Sequence, residues 1–124
     1  VPSADLIMSA NKQVVERYMD GFRASDHAKV LSCLTDDVVW DMPGAFHLVG
    51  KQAFDKEIEN DAFVGRPDIT VTRLTEENDV VVAEGSVRSQ RKTGEIMNGV
   101  FCDVFVMRGG KIGRLISYFL EVKG

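Results

Sequence analysis

Histidine and cysteine are scarce in this chain, with two of each among 124 residues. His27 and His47 stand alone. Neither Cys33 nor Cys102 belongs to a C-x-x-C pair or lies near a histidine at metal-ligand spacing, so no metal site is expected. The expected state of the cysteines is two buried free thiols in a reducing compartment, with a disulfide as the alternative. Also missing are the P-loop, G-x-G-x-x-G, G-x-S-x-G and H-E-x-x-H signatures, and with them the nucleotide and hydrolase chemistries they carry. No apolar run approaches the roughly 18 residues of a membrane span. No basic region followed by an apolar core opens the chain. Excess positive charge is lacking too: the net charge is −4, which gives a phosphate backbone nothing to bind. The expectation is a cytoplasmic protein without cofactor, membrane or nucleic-acid partner.

What is present is an ordinary globular composition, 44% hydrophobic and 27% charged. The length suits one domain over residues 1–124, with residues 1–8 expected to be disordered. From Ser9 to Phe22 the residues Val14, Val15, Tyr18, Met19 and Phe22 recur at helical spacing. A second short helix is expected after Ser25 or Asp26, both good N-cap types, with Val30, Leu31 and Leu34 on its buried face. Val38, Val39 and Trp40 favour a strand that Pro43-Gly44 ends. AFHLVG reads as a loop. A third helix is expected from about Lys51 to Asp61, with Gly65-Arg66-Pro67 breaking it. The remainder reads as strands: Asp68–Glu76, Val80–Gln90, Met97–Met107 and Ile112–Val122, with a tight hairpin at Arg108-Gly109-Gly110-Lys111. Helices first and an antiparallel meander after them indicate an α+β fold, with helices on one face of a strongly curved sheet. Such packing leaves a pocket between the layers, and a hydrophobic small molecule is the ligand it suits.

Asp103 is the most informative residue. It sits in GVFCDVFVM, and strand alternation puts Phe101, Asp103 and Phe105 on one face. An ionised carboxylate between two phenylalanines is costly to bury. It faces a solvated cavity, stays protonated, or is paired; the competing reading is a charge on the solvent face of an edge strand. Desolvation would raise its pKa and let it donate a hydrogen bond to a developing oxyanion. Tyr18 lies on the apolar stripe of the first helix, either as an oxyanion donor or as a core tyrosine with a satisfied hydroxyl. Alternation puts Trp40 and Met42 on one face of the first strand and Asp41 on the other. Asp41 becomes a candidate base only if Pro43 rotates it inward. His47 is a candidate acid or base, or else a surface histidine. Trp40, Met42, Phe54, Phe101, Phe105, Ser117 and Phe119 are the expected pocket lining. Phe63 joins several of these rings as a residue that could fill the space.

QVVERYMDGFRASDHAKVLSCLTDDVVWDMPG resembles the N-terminal half of ketosteroid isomerases and of the SnoaL-like polyketide cyclases. DVFVMRGGKIGRLISY is similar to the C-terminal hairpin of the same proteins. The matches run from about Asn11 to Phe119. The resemblance implies the cone-shaped nuclear transport factor 2-like fold: three N-terminal helices packed on a curved, mostly antiparallel sheet enclosing a pocket. By the same resemblance, Tyr18 falls on the isomerase's oxyanion-hole tyrosine and Asp103 on its protonated carboxylic acid. The isomerase's general-base aspartate falls on Met42, which cannot carry a proton, and Asp41 is its neighbour. A homodimer through the outer sheet face is implied as well, where Cys102, Val104 and Val106 are apolar.

Two functions fit. One is a small cofactor-independent acid–base enzyme, of isomerase or cyclase type, acting on a hydrophobic carbonyl-containing small molecule through Tyr18, Asp103 and Asp41 or His47. The other is a non-catalytic module that binds a hydrophobic ligand or serves as a dimeric accessory domain, motivated by Met42 at the base position.

Overall fold

Ser9 starts the first helix by accepting a hydrogen bond from the Lys12 amide at 3.1 Å, a side-chain cap on an otherwise orphaned donor. This helix, α1 (Ala10–Arg23), buries Val15, Tyr18 and Met19, whose i, i+3, i+4 spacing makes a single stripe. Asp26 caps α2 (His27–Ser32) in the same way through the Lys29 amide. Only Val30 of α2 is fully buried; Leu34, expected on its apolar face, opens the first strand instead. The computed structural model describes residues 8–123, so the expected disorder of residues 1–8 lies outside the described residues apart from Met8.

The strands are β1 (Leu34–Met42), β2 (Phe46–Val49), β3 (Phe63–Glu77), β4 (Val80–Arg91), β5 (Ile96–Arg108) and β6 (Lys111–Glu121), with α3 (Lys51–Glu57) between β2 and β3. They form one six-stranded sheet in the order β2-β1-β6-β5-β4-β3. Every pairing is antiparallel except β1 with β6, which is parallel. The sheet curls without closing and leaves β2 and β3 as edges. This is the expected α+β architecture: three helices against a curled, mostly antiparallel sheet. The β5–β6 hairpin turns at Gly109 and Gly110, both with positive φ, as a two-residue turn of matching twist requires.

Three boundaries differ from the sequence reading. AFHLVG is not a loop: Phe46–Val49 pairs with β1, placing Phe46 and Leu48 inward and His47 and Val49 outward. Next, α3 ends at Glu57 rather than Asp61. Finally, Gly65-Arg66-Pro67 does not break a helix; it lies inside β3, where the register with β4 shifts between Val64 and Asp68. A proline there removes one ladder donor and is accommodated because β3 is an edge.

The core lies between the helices and the inner sheet face. Val15, Val30, Leu34, Val38, Phe54, Phe105, Ile112 and Leu115 are sealed from solvent. Burying one such side chain contributes roughly 1.5–3 kcal/mol. Phe54 is the keystone of α3, packing beneath Trp40 with its ring centroid at 4.4 Å. Phe54→Ala is expected to cost about 3–5 kcal/mol, because it removes a buried ring and leaves a cavity. Urea unfolding measures this; a loss under 1 kcal/mol on the same scale would show that α3 is not anchored by this ring.

Candidate functional site

A cavity of about 720 Å³ opens between the helices and the sheet. Strand parity decides what faces it. From β1 come Trp40 and Met42, from β5 Met97, Phe101 and Asp103, and from β6 Ser117 and Phe119. The first helix supplies Tyr18, Met19 and Phe22, and Phe46 of β2 completes the wall beside Trp40. Of the expected lining, Phe54 and Phe105 do not reach the cavity; they are sealed in the core behind it.

The aromatic residues do not fill the cavity, and two glycines explain why. A Cβ at Gly85 would overlap the Thr70 carbonyl and the Phe101 ring, and one at Gly99 would overlap the Phe119 ring. Both glycines are on the inner face, so each phenylalanine lies flat across the neighbouring strand instead of standing up into the space.

Trp40 is fixed by its neighbours. It stacks on Phe54 at 4.4 Å, and it meets Phe46 at 5.0 Å and Phe22 at 6.1 Å edge-on. Its indole nitrogen donates to the Ser117 hydroxyl at 3.0 Å in a buried contact. Ser117 in turn sits directly across the β5–β6 ladder from Asp103.

Asp103 is half-buried on the cavity wall among apolar side chains. Burial pushes its carboxyl up to about 7, and the Ser117 hydroxyl pulls the other way. Tyr18 is buried and stays protonated, its phenol raised well above the ordinary value first by burial and then by the charge of Asp103. The Tyr18 ring packs edge-on against Phe105 at 5.3 Å. Both groups line the cavity, and no hydrogen bond joins them.

The structure separates the other two candidates from this pair. Asp41 lies on the outer face of β1, where its carboxylate binds His47 on one oxygen and Arg114 on the other at 2.6 Å. His47 and then Arg114 hold the Asp41 carboxyl below the usual carboxylate range. Pro43 does not turn Asp41 inward, because Met42 keeps the strand's inward parity and the chain turns only after it. Neither Asp41 nor His47 lines the cavity.

Sequence reasoning missed the charged cavity mouth. Arg91 and Lys92, at the end of β4, line it. Arg91 binds Glu95 at 2.8 Å and also Glu121, and it rests over the Phe63 ring at 5.8 Å. The alternation of β4 continues to Arg91 and was the available signal. His27, which does not itself line the cavity, bridges Asp55 and Glu59 at 2.6 Å each, which raises its pKa, Glu59 contributing most. Among the described residues no group of three or more His, Cys, Asp or Glu side chains is disposed to hold a metal ion. No helix of the described residues is long and apolar enough to cross a membrane.

The sequence profile of the SnoaL-like domain matches residues 15–115. The chain belongs to the SnoaL-like domain family. None of the curated proteins matches it significantly. Among solved structures, TerC, crystallised with polyporic acid, superposes with a TM-score of 0.82 at 22% identity, over 90% of this chain and 92% of that one. A protein from Xanthomonas campestris assigned by inference as a polyketide cyclase gives 0.81 at 23% identity, over 88% and 89%. An LEH-like epoxide hydrolase from M. tuberculosis gives 0.78 at 18%, over 90% and 83%. At these identities the likeness establishes the nuclear transport factor 2-like fold of a SnoaL-like domain, one shared by cyclase-type and hydrolase-type proteins.

Asp103 also sets a pH dependence of stability. Its folded-state pKa, about 7, stands above the unfolded value. The folded chain therefore holds a proton that the unfolded chain releases between about pH 4 and pH 7, and stability falls as pH rises through that window. Asp103→Asn removes this slope. The variant is expected to match the native protein near pH 4 and to exceed it by up to about 4 kcal/mol at pH 8, cavity water reducing the figure. Thermal unfolding at both pH values tests this, and equal stability at pH 8 would contradict it.

Proposed function

We propose that this protein is a cofactor-independent acid–base enzyme, of isomerase or cyclase type, acting on a hydrophobic carbonyl-containing small molecule. The observation that carries this reading is the carboxyl of Asp103, placed in an apolar-walled cavity and titrating near neutrality. A protonated carboxylic acid there donates a hydrogen bond to the oxygen on which charge develops, in a setting where water competes little. The neutral Tyr18 hydroxyl, on the same cavity, is the second donor. The substrate's apolar body packs against Trp40, Met42, Phe101 and Phe119, and the opening accepts a molecule of several rings. That one structure of this fold was crystallised with polyporic acid, and another is an LEH-like epoxide hydrolase, supports a small-molecule role for the cavity.

With Asp41 and His47 turned outward, proton transfer falls to Asp103 itself. A carboxyl titrating near 7 gives its proton to the substrate oxygen at little cost, and solvent at the cavity mouth takes the proton that the substrate carbon loses. A specific observation also favours a second reading, non-catalytic ligand binding: Met42 occupies the wall where a base would act. The two readings separate on the ligand's fate.

Asp103→Asn and Asp103→Leu are expected to lower kcat on a hydrophobic carbonyl substrate by about 100-fold to 10,000-fold while retaining a cooperative melt. The native rate should fall as pH rises through about 7, as the donor loses its proton. Turnover that survives both substitutions sinks the enzymatic reading. Ligand-induced stabilisation with the ligand recovered unchanged supports the binding module instead.

We further infer a homodimer through the convex sheet face. Val100, Tyr118 and Leu120 are 43%, 52% and 66% exposed there, with Cys102, Val104 and Val106 on the same face. An apolar face of this kind calls for cover. Light scattering should give twice the chain mass, and Leu120→Glu should give the single-chain mass; a native monomer contradicts the dimer.

A further inference from the structure

We propose that Trp40 and Ser117 are positioning residues that aim the Asp103 carboxyl: the indole N–H holds the serine oxygen, and the serine hydroxyl is thereby turned to donate across the ladder to Asp103. An indole nitrogen donates and never accepts, so in the 3.0 Å contact Ser117 must be the acceptor. One lone pair of the serine oxygen is then committed to Trp40, and its hydrogen must point away from the indole. Ser117 is buried, and the β5–β6 register sets Asp103 directly opposite it on the inner face. The carboxyl is thus the acceptor within reach, and among the described residues no other side-chain hydrogen bond claims the hydroxyl.

The direction of this relay matters for chemistry. Ser117 engages one carboxyl oxygen from the ladder side. The other oxygen is left for the cavity, and it carries the proton when Asp103 is neutral. The relay is preorganised, because Trp40 cannot swing away: Phe54 lies against its face and Phe22 and Phe46 flank it. The same donation favours the ionised carboxylate and opposes the effect of burial, which sets Asp103 lower than burial alone would. This deepens the acid–base reading of the cavity and rests on it for its chemical purpose, but its test needs no substrate.

Other groups share the cavity with Asp103: Tyr18 from α1, Glu57 at the end of α3 with Glu59 and Asp61 after it, Arg91 and Lys92 at the end of β4, and Glu121 on β6. Comparing variants at position 117 holds all of these constant. Trp40 is the single tryptophan, so its indole N–H gives one unambiguous NMR signal. With aspartate carboxyl carbons labelled, Asp103 and the Trp40 indole are expected to titrate together in the native protein. In Ser117→Ala the Asp103 midpoint should move up by about one pH unit, since a hydrogen bond to the charged form is lost. The indole signal should stop following it. Ser117→Thr, which keeps the hydroxyl, should restore both behaviours.

An unchanged Asp103 midpoint in a folded Ser117→Ala protein overturns the relay, as does an indole that still follows Asp103 without a hydroxyl between them. Trp40→Phe keeps the serine and frees its hydroxyl to turn; the midpoint should rise by less, and no rise there overturns the relay even if the alanine variant does not fold. A native midpoint at the ordinary carboxylate value overturns the acid role of Asp103, while the comparison at position 117 still decides the relay.

Discussion

The hydrogen bond from Trp40 to Ser117 joins the aromatic core to the carboxyl in the cavity, and its geometry depends on the parallel pairing of β1 with β6. That pairing sets Trp40 beside Leu115, so the indole reaches Ser117 two residues further along the same face. The residues joined are 77 apart in sequence. Forming the contact closes a long loop that contains α3 and most of the meander, at an entropic cost that grows slowly with its length. A buried indole N–H left without an acceptor costs free energy, so this one contact also penalises slipped registers of β1 against β6.

Keeping a cavity open in so small a protein has a physical cost. Apolar walls without partners lose dispersion and invite collapse. Here the collapse is resisted by placing bulk where it cannot fall inward. Phe54 and Phe105 are sealed behind the wall, and Phe101 and Phe119 lie flat over Gly85 and Gly99. Glycine in a strand weakens it, and that loss is the counterpart of the space gained. Asp103 adds a second cost, since an ionisable group in apolar surroundings lowers stability wherever the pH would otherwise ionise it. An apolar-walled cavity that retains a carboxyl spends stability on a group that the fold itself does not need.

Much of this was legible in the sequence for one reason: periodicity survives without knowledge of the fold. The 3.6-residue stripe of α1 and the alternation of β4, β5 and β6 are local, and Phe101, Asp103 and Phe105 fell on one face by counting alone. Short or non-local features were not legible. The strand β2 spans four residues, too few for alternation to outweigh the loop character of its flanks. The early start of β3 at Phe63 depends on an edge tolerating Pro67. Ser117 entered the expected lining by parity, but its tie to Trp40 required the parallel pairing, which no local pattern announces. The pairing of Asp41 with Arg114, 73 residues away, was hidden for the same reason.

The outward orientation of Asp41 constrains any chemistry in the cavity. To bring Asp41 inward, β1 would have to shift by one residue, which would also expel Trp40 and Met42 and bury a carboxylate stripped of two partners. Leu48 and Phe46, paired with Trp40 and Met42 across β1–β2, would lose those apolar partners. The parity is therefore locked by apolar residues on one face and by ion pairs on the other. With Asp41 excluded, Asp103 is the carboxyl that shares the cavity's apolar interior with Tyr18, and the remaining acids stand at the mouth. A site built on one such group works best when that group titrates near the working pH, because each proton it gives must be recovered from the same place. Burial raises the Asp103 carboxyl, Ser117 lowers it, and the balance lies near 7.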